Sequence, residues 1–519
     1  MRASVVNSFD LVIAGGLVVD GAGNEPARTD VGIMQGRVAA IDSELGGHAR
    51  ERLDATGCRV LPGFIDAHVH QDARLLDDPL PEPLLRQGVT TVVLGQDGTS
   101  VSPGTDATLH HMVRYFAAVN GVPAAPPPSG GVRAYLNRLE GRLGVNVAYL
   151  APNGNLRADV VGLAEDALDS EQRRRMRRQL RAAFDEGAIG LSSGLDYIPS
   201  RYATEDELTE LCNEMRDEGR PYVTHLRYYG ARVAEGLAEA LRIAATAAVP
   251  LHVSHYNAAA GPLLEALDDG MAQQAMTFDM YPYRRTCTIL AMFALPQETQ
   301  AGGVDATLGR LADPSHRRLL REWFGARQPH LARAVLSSVE AAGYSWTVGM
   351  NLLDAAEETG LELCEFVCEL LLASRLNVSA VLNPRDGAVT SDDFKVLFAH
   401  PGHMAGSDGI YTDGRPHPRG WGTFSRYLAD YTGDGRLWSW PHAAQHLSAT
   451  AASAFGLSGR GRIASGAAAD IVVLDDEIVD RATYVSPTLM MRGVRHLIVN
   501  GRVAVRDAKL TGELAGQVL

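Results

Sequence analysis

The chain has 519 residues, 46% apolar and 21% charged, with a formal net charge of -14. This is the composition of a globular chain of two or three domains, and so acidic a balance excludes a phosphate-backbone binder, which needs a basic face. Five scattered cysteines exclude a disulfide framework, and no run approaches the roughly 18 apolar residues of a membrane helix. The N-terminal apolar run, Leu11 to Val19, is short, lies between Asp10 and Asp20 and does not read as a signal peptide. A cytoplasmic protein without membrane or nucleic-acid partners is expected; self-association is left open.

Residues 1–60 read as short strands with tight turns: Leu11-Val-Ile-Ala-Gly-Gly, Leu17-Val-Val-Asp-Gly, Val31-Gly-Ile-Met and Arg37-Val-Ala-Ala-Ile-Asp. The same texture returns near the other end in Ala469-Asp-Ile-Val-Val-Leu-Asp, His496-Leu-Ile-Val-Asn-Gly and Arg502-Val-Ala-Val. Residues 1–60 and 456–519 are therefore expected to build one small β-sandwich domain from both termini. Between them, over 61–455, apolar strands alternate with amphipathic helices, the pattern of βα units. Candidate strands are Val60–Ile65, Thr90–Leu94, Val145–Leu150, Ala188–Ser192, Tyr222–Thr224, Leu251–Ser254, Met276–Asp279 and His403–Ala405. Eight such units make an α/β fold, a distorted TIM (β/α)8 barrel. Ser170 is the expected N-cap of a helix ending near Gly187, and Thr204 opens a capping-box pattern. The stretch from about 285 to 348 is long for one crossover and reads as a helical insertion.

The strongest local motif is Pro62-Gly-Phe-Ile-Asp-Ala-His68-Val-His70-Gln-Asp72. Residues i and i+2 of a strand share a face, so His68 and His70 present two imidazoles side by side where an apolar strand ends. His225 ends Pro221-Tyr-Val-Thr-His225, His255 ends Pro250-Leu-His252-Val-Ser-His255, and Asp408 follows the last strand in Gly406-Ser-Asp408-Gly. One such residue is an ordinary turn or core group. Four histidines and one aspartate at the ends of strands 1, 5, 6 and 8 point to a metal site at a barrel mouth. His252 reads as a buried or hydrogen-bonded partner. Cys364 and Cys368 read as core, and the six arginines of 171–181 as a solvated helix face.

These residues resemble the amidohydrolase superfamily and, within it, the N-acyl-D-amino-acid deacylases. The resemblance extends over Asp10-Leu-Val-Ile-Ala-Gly-Gly, Gly190-Leu-Ser-Ser-Gly-Leu-Asp-Tyr197-Ile-Pro199, Thr224-His-Leu-Arg227, Asp279-Met-Tyr-Pro-Tyr283 and the segment from Leu457 to Leu474. It implies a metal site of His68, His70, His225, His255 and Asp408, with Asp408 as general base and acid. It implies a divalent metal, zinc first, one or two per chain, and a small acylated amine as substrate. It also places Tyr197, Arg227 and the residues after Tyr283 at the substrate.

Two departures stand out. The family's metal-binding cysteine after strand 2 is replaced in Gly95-Gln96-Asp97-Gly98, where Asp97 reads as a bridging or single-metal ligand, which makes the site harder, with an ordinary Asp-Gly turn residue as the alternative. A carboxylated-lysine bridge is closed off, since neither Lys395 nor Lys509 lies at a suitable position. The lysine usually two residues after the strand-6 histidine is Asn257 here. Three readings stay open: Arg284 or Arg285, in Arg284-Arg285-Thr286-Cys287, supplies that cation, the substrate lacks the matching carboxylate, or both arginines are simply exposed. His417 and Arg419 resemble a loop near the active site. The competing readings are a cyclic-amide hydrolase of the dihydroorotase or hydantoinase kind and a non-catalytic barrel used for binding.

Overall fold

The computed structural model describes residues 8–46, 48–271, 275–384 and 387–519. Eight strands form one parallel sheet: β1 (Phe64–Asp66), β2 (Val89–Leu94), β3 (Asn146–Pro152), β4 (Ala188–Gly194), β5 (Tyr222–His225), β6 (Leu251–Val253), β7 (Met276–Met280) and β8 (His403–Ala405). They pair in chain order from β1 to β8. The last seam is closed by two backbone bonds, from Ala67 N–H to the Ala405 carbonyl (3.1 Å) and from Asp408 N–H to the His68 carbonyl (2.7 Å). The result is the expected TIM-like barrel.

The barrel interior is filled by Ile65, Val93, Leu150, Val223 and Met404, with Phe455 packed against them. Burying each such side chain stabilises the fold by about 1.5–3 kcal/mol. At the floor, the Val147 N–H donates to the Gln517 carbonyl and the Leu519 N–H to the Val147 carbonyl, both at 2.9 Å. Polar side chains are thereby left to the opposite, C-terminal rim.

A nine-stranded sheet combines five strands from residues 9–62 with four from residues 471–510. The two ends meet where Arg59–Pro62 pairs antiparallel with Ile471–Val479. Leu11, Ile13, Val31, Ile471, Val473 and Ile498 share its core. The expected first barrel strand, Val60–Ile65, divides between the two sheets. Gly63 marks the crossing: a Cβ there would lie 2.3 Å from Thr90 Cγ2.

Between β7 and β8 the chain leaves the barrel. Residues 286–382 contribute a three-stranded antiparallel sheet of Thr286–Ile289, Val335–Val339 and Val378–Leu382, packed with helices that include Pro314–Leu331 and Leu363–Ala373. The insertion is longer than the stretch expected from sequence, and it contains a sheet as well as helices. Cys364 and Cys368 are buried in its core. The helix Ser170–Asp185 is capped by Asp169 rather than by Ser170. Asp169 accepts from the Glu171 and Gln172 N–H groups, and Gln172 returns a bond to the Asp169 N–H. Among the described residues, no helix is long and apolar enough to cross a membrane.

Candidate active site

The barrel places His68, His70, Asp97, His225, His255 and Asp408 on one rim. His68 and His70 follow β1, and His70 is fixed by the short pairing of Val69–His70 with Gly409–Ile410. His225 is the last residue of β5. His255 and Asp408 lie just beyond β6 and β8, both with left-handed backbones (φ 32° and 47°). Asp97, after β2, is left-handed as well (φ 56°). Three non-glycine residues in this sparsely populated region mark a rim whose shape is set by the surrounding fold.

The Asp97 turn is held independently of its side chain. The Gln96 amide donates to the Ala67 carbonyl (2.8 Å), Ser192 Oγ donates to the Gly95 carbonyl (2.5 Å), and the Gly98 N–H donates to Ser192 Oγ (3.2 Å). Gly194 lets the turn pack against β4, since a Cβ there would lie 2.0 Å from the Asp97 carbonyl oxygen.

Asp97 sits at the centre of the cluster. Its Oδ1 lies 3.3 Å from His255 Nε2 and 3.6 Å from His68 Nε2; its Oδ2 lies 3.7 Å from His70 Nε2 and 3.8 Å from His225 Nδ1. Asp408 Oδ1 is 3.1 Å from His70 Nε2, and its Oδ2 is 2.8 Å from the Arg419 guanidinium. All of these groups are buried. Burial opposes their charges, yet His255 and His68 hold the Asp97 carboxyl well below the usual carboxylate range. Burial likewise opposes the Asp408 charge, but Arg419 and His255 bring it to about 2. His255 is pushed up to about 9 against the effect of burial, because Asp97 and Asp408 retain its proton. Burial lowers His68.

This donor set fits a divalent metal. His68–His70–Asp97 and Asp97–His225–His255 each bring three ligand atoms within 4.8 Å of one another, and both sets share Asp97. Among the described residues, neither ring nitrogen of His68 has a hydrogen-bond partner, nor does His225 Nε2, although all three are buried. Orphaned imidazole nitrogens around carboxylate oxygens are what zinc, or a harder divalent ion, would satisfy. The proton held on His255 is one that binding would release.

Sequence reasoning missed the support behind this rim. Asp279, on β7, accepts the His255 backbone N–H (3.0 Å) and lies 2.9 Å from His252 Nε2 and 3.7 Å from His68 Nδ1. His252 is indeed a buried partner, with its other nitrogen 2.9 Å from Thr277 Oγ1. Burial opposes the Asp279 charge, but His68 and His252 keep the carboxyl far below its usual range. Asp279→Asn is expected to weaken metal binding by about 10–100-fold while the rim ligands stay in place. A competitive chelator titration of both proteins checks this; equal affinities would remove Asp279 from the supporting shell.

A cavity of about 620 Å³ opens over the cluster, lined by His70, Asp97, His225, His255, Asp408 and Arg419 among others. Tyr197, Arg284 and Thr286 also line it, as does Asn257. Four other expected substrate residues do not. Arg227 turns away: it pairs with Glu239 (2.9 Å) and donates to the Arg201 and Ala203 carbonyls. Arg285 lies over the Tyr484 ring (4.6 Å). Tyr283 is buried against His417 and under the Arg426 guanidinium. His417 is fully buried, its Nδ1 accepting the Arg419 N–H (3.1 Å), so it positions Arg419 instead of touching the cavity. Arg419 itself is 1% exposed and stacks over Tyr281. The sequence offered a signal for it, in the His417-Pro-Arg419 loop. Tyr229, which lines the cavity with its hydroxyl 3.4 Å from His255 Nδ1, had none.

Known proteins carry the same arrangement of chain. The amidohydrolase family profile matches residues 51–505. A D-aminoacylase of Alcaligenes xylosoxydans xylosoxydans is 31% identical, covering 100% of this chain and 99% of its own. The crystal structure of an N-acyl-D-glutamate deacylase from Bordetella bronchiseptica, complexed with zinc and a phosphonate inhibitor that mimics the tetrahedral intermediate, is similar at 30% identity. It has a TM-score of 0.84 over 99% of this chain and 100% of that one. A D-aminoacylase structure describing a binuclear metal centre is 30% identical with a TM-score of 0.80, over 98% and 99% of the two chains. The chain therefore belongs to the amidohydrolase family and, within it, to the D-aminoacylase group of hydrolases acting on carbon–nitrogen bonds other than peptide bonds.

Proposed function

We propose that the protein deacylates N-acyl-D-amino acids or a closely related acylated amine, with His68, His70, Asp97, His225 and His255 holding one or two divalent metal ions and Asp408 carrying the proton. The observation that supports this most strongly is the single carboxylate of Asp97 facing all four histidines, with Asp408 beside His70 at the floor of the cavity. The two donor triads, His68–His70–Asp97 and Asp97–His225–His255, would hold one ion or two. Zinc is the first candidate, and the oxygen donor admits manganese, iron or cobalt.

A metal bound there activates water and polarises the acyl carbonyl. The remaining work falls to the chain. Asp408 is anionic at neutral pH and takes a proton from the attacking water. Water adds to the acyl carbon, the carbon–nitrogen bond breaks, and Asp408 returns the proton to the leaving nitrogen. The Arg419 guanidinium beside Asp408 favours its charged form, so the proton is passed on to the leaving nitrogen and not kept. Arg419 supplies an inner cation for the substrate's α-carboxylate. Tyr197 and Tyr229 wall the histidines from solvent.

The test combines elemental analysis with hydrolysis of N-acetyl-D- and N-acetyl-L-amino acids. One or two metals per chain, activity lost on chelation and restored by zinc, and cleavage of the D-series are expected. Metal without cleavage of any acyl amino acid would overturn the substrate class. A chain that takes up neither zinc, manganese nor cobalt would overturn the hydrolase site.

A further inference from the structure

A loop of the nine-stranded sheet reaches the rim of the barrel. Residues 480–491 join Ile471–Val479 to Arg492–Val499, two neighbouring antiparallel strands. A hairpin needs about two to five residues there, so this long an excursion serves more than reversing the chain. It docks on both sides of Arg419 in sequence. On one side Arg415 donates to the Val485 carbonyl (3.3 Å); on the other, Ser425 Oγ donates to Asp480 Oδ1 (2.7 Å). Gly422 permits the approach, since a Cβ there would lie 2.9 Å from Ala482 Cβ. The Thr483 N–H donates to the Ser486 carbonyl (3.2 Å) and the Ser486 N–H to Thr483 Oγ1 (3.0 Å), closing a turn with Tyr484 and Val485 at its tip.

The two tip residues differ. Val485 is 77% exposed, whereas Tyr484 is half-buried. The Tyr484 ring meets the His417 ring edge-on at 5.1 Å, and its hydroxyl lies 3.3 Å from His417 Nε2. The Arg285 guanidinium covers the same tyrosine ring at 4.6 Å. His417 belongs to no helix or strand, so its ring is oriented by contacts alone. Its Nδ1 accepts the Arg419 N–H, which leaves the proton of the neutral ring on Nε2, between the Arg285 carbonyl (3.1 Å) and the Tyr484 hydroxyl. Arg419 in turn reaches Asp408 Oδ2 (2.8 Å) and donates to the Cys287 carbonyl (3.2 Å). Contacts thus run unbroken from a loop outside the barrel to the cation beside Asp408.

We propose that Tyr484 is a positioning residue: it holds His417, and through it Arg419, where Arg419 meets the substrate's α-carboxylate. This rests on the deacylase reading above, which gives Arg419 its anion. A cation on a long, flexible side chain is selective only when neighbours hold it to within about 0.5 Å. Tyr281 and Tyr283, which follow β7, also touch the His417 ring; Tyr484 is the ring contributed from outside the barrel.

The test assays zinc-loaded enzyme on N-acetyl-D-leucine and on its carboxamide, which lacks the anion. Wild type is expected to prefer the carboxylate. Tyr484→Ala is expected to raise KM for the carboxylate about 10–100-fold, the scale of a displacement of about 1 Å, with kcat and the carboxamide little changed. Tyr484→Phe keeps the ring against His417 and should stay close to wild type. Val485→Ser, at the same tip, should change neither substrate. Tyr484→Leu repeats the test if the alanine variant is unstable. No preference for the carboxylate in wild type, or equal losses on both substrates in the Tyr484 variants, would overturn the proposal. If wild type cleaves neither substrate, the deacylase reading fails instead. Hydrogen exchange at the Arg419 amide then decides: faster exchange in Tyr484→Ala than in Val485→Ser upholds the positioning, and equal exchange overturns it.

Discussion

Replacing Asp408 with asparagine is expected to lower turnover by about three orders of magnitude, within the 10²–10⁴ range of a positioned acid–base group. The carboxamide has nearly the shape of the carboxylate but cannot take the proton from water. Asp97 and the four histidines remain, so metal content should stay close to that of wild type. The substitution also leaves Arg419, 1% exposed, without the carboxylate 2.8 Å away. Breaking a buried pair on one side costs about 3–5 kcal/mol, so a fall in thermal stability should accompany the loss of activity. The double variant Asp408→Asn with Arg419→Gln separates the two effects. It should regain stability, because no charge is left unpaired, and remain inactive. Turnover above about a tenth of wild type in folded, metal-loaded Asp408→Asn would remove Asp408 as the proton carrier.

Asp97→Asn is the second decisive substitution. Asparagine tolerates the left-handed backbone at this position and keeps the side-chain volume, and the turn is held by Gln96, Ser192 and Gly98. The fold should therefore survive. The negative charge within 3.8 Å of four imidazoles does not. Metal affinity is expected to fall by more than the ~10–100-fold that loss of a supporting contact costs. Asp97→Cys is expected to bind metal again with a sharper preference for zinc over manganese, because a thiolate is the softer ligand. Chelator competition with each ion measures both. Unchanged affinity in Asp97→Asn would reduce Asp97 to a turn residue.

The barrel and the gathering of the histidines and aspartates on its rim were legible because both obey local rules. Apolar strands at βα spacing, with a histidine or aspartate where each strand ends, place those side chains on one rim whatever the loops do. The directions of longer side chains were not legible. Arg227 follows His225 by two residues, yet its Nε, Nη1 and Nη2 are turned to Glu239 and two backbone carbonyls, a destination set by residues 201, 203 and 239. Arg419 opens the helix Arg419–Arg426 directly after an irregular loop, and only the tertiary contact with Asp408 reveals its orientation. The sheet in the insertion escaped detection because its strands pair across tens of residues, Thr286 with Leu382 and Val335 with Val381. Asp279 was visible as a motif residue, but its contact with His252 and the His255 backbone needs β6 and β7 side by side.

The way the cavity is divided between two parts of the chain has an evolutionary consequence. Every candidate ligand is carried by the rim of the barrel, where geometry is fixed by strand pairing. More than half of the residues that line the cavity come from one contiguous stretch between β7 and β8. A lineage can therefore rewrite, lengthen or exchange that stretch in a single genetic event, and acquire a new diet without disturbing the machinery that cuts the bond.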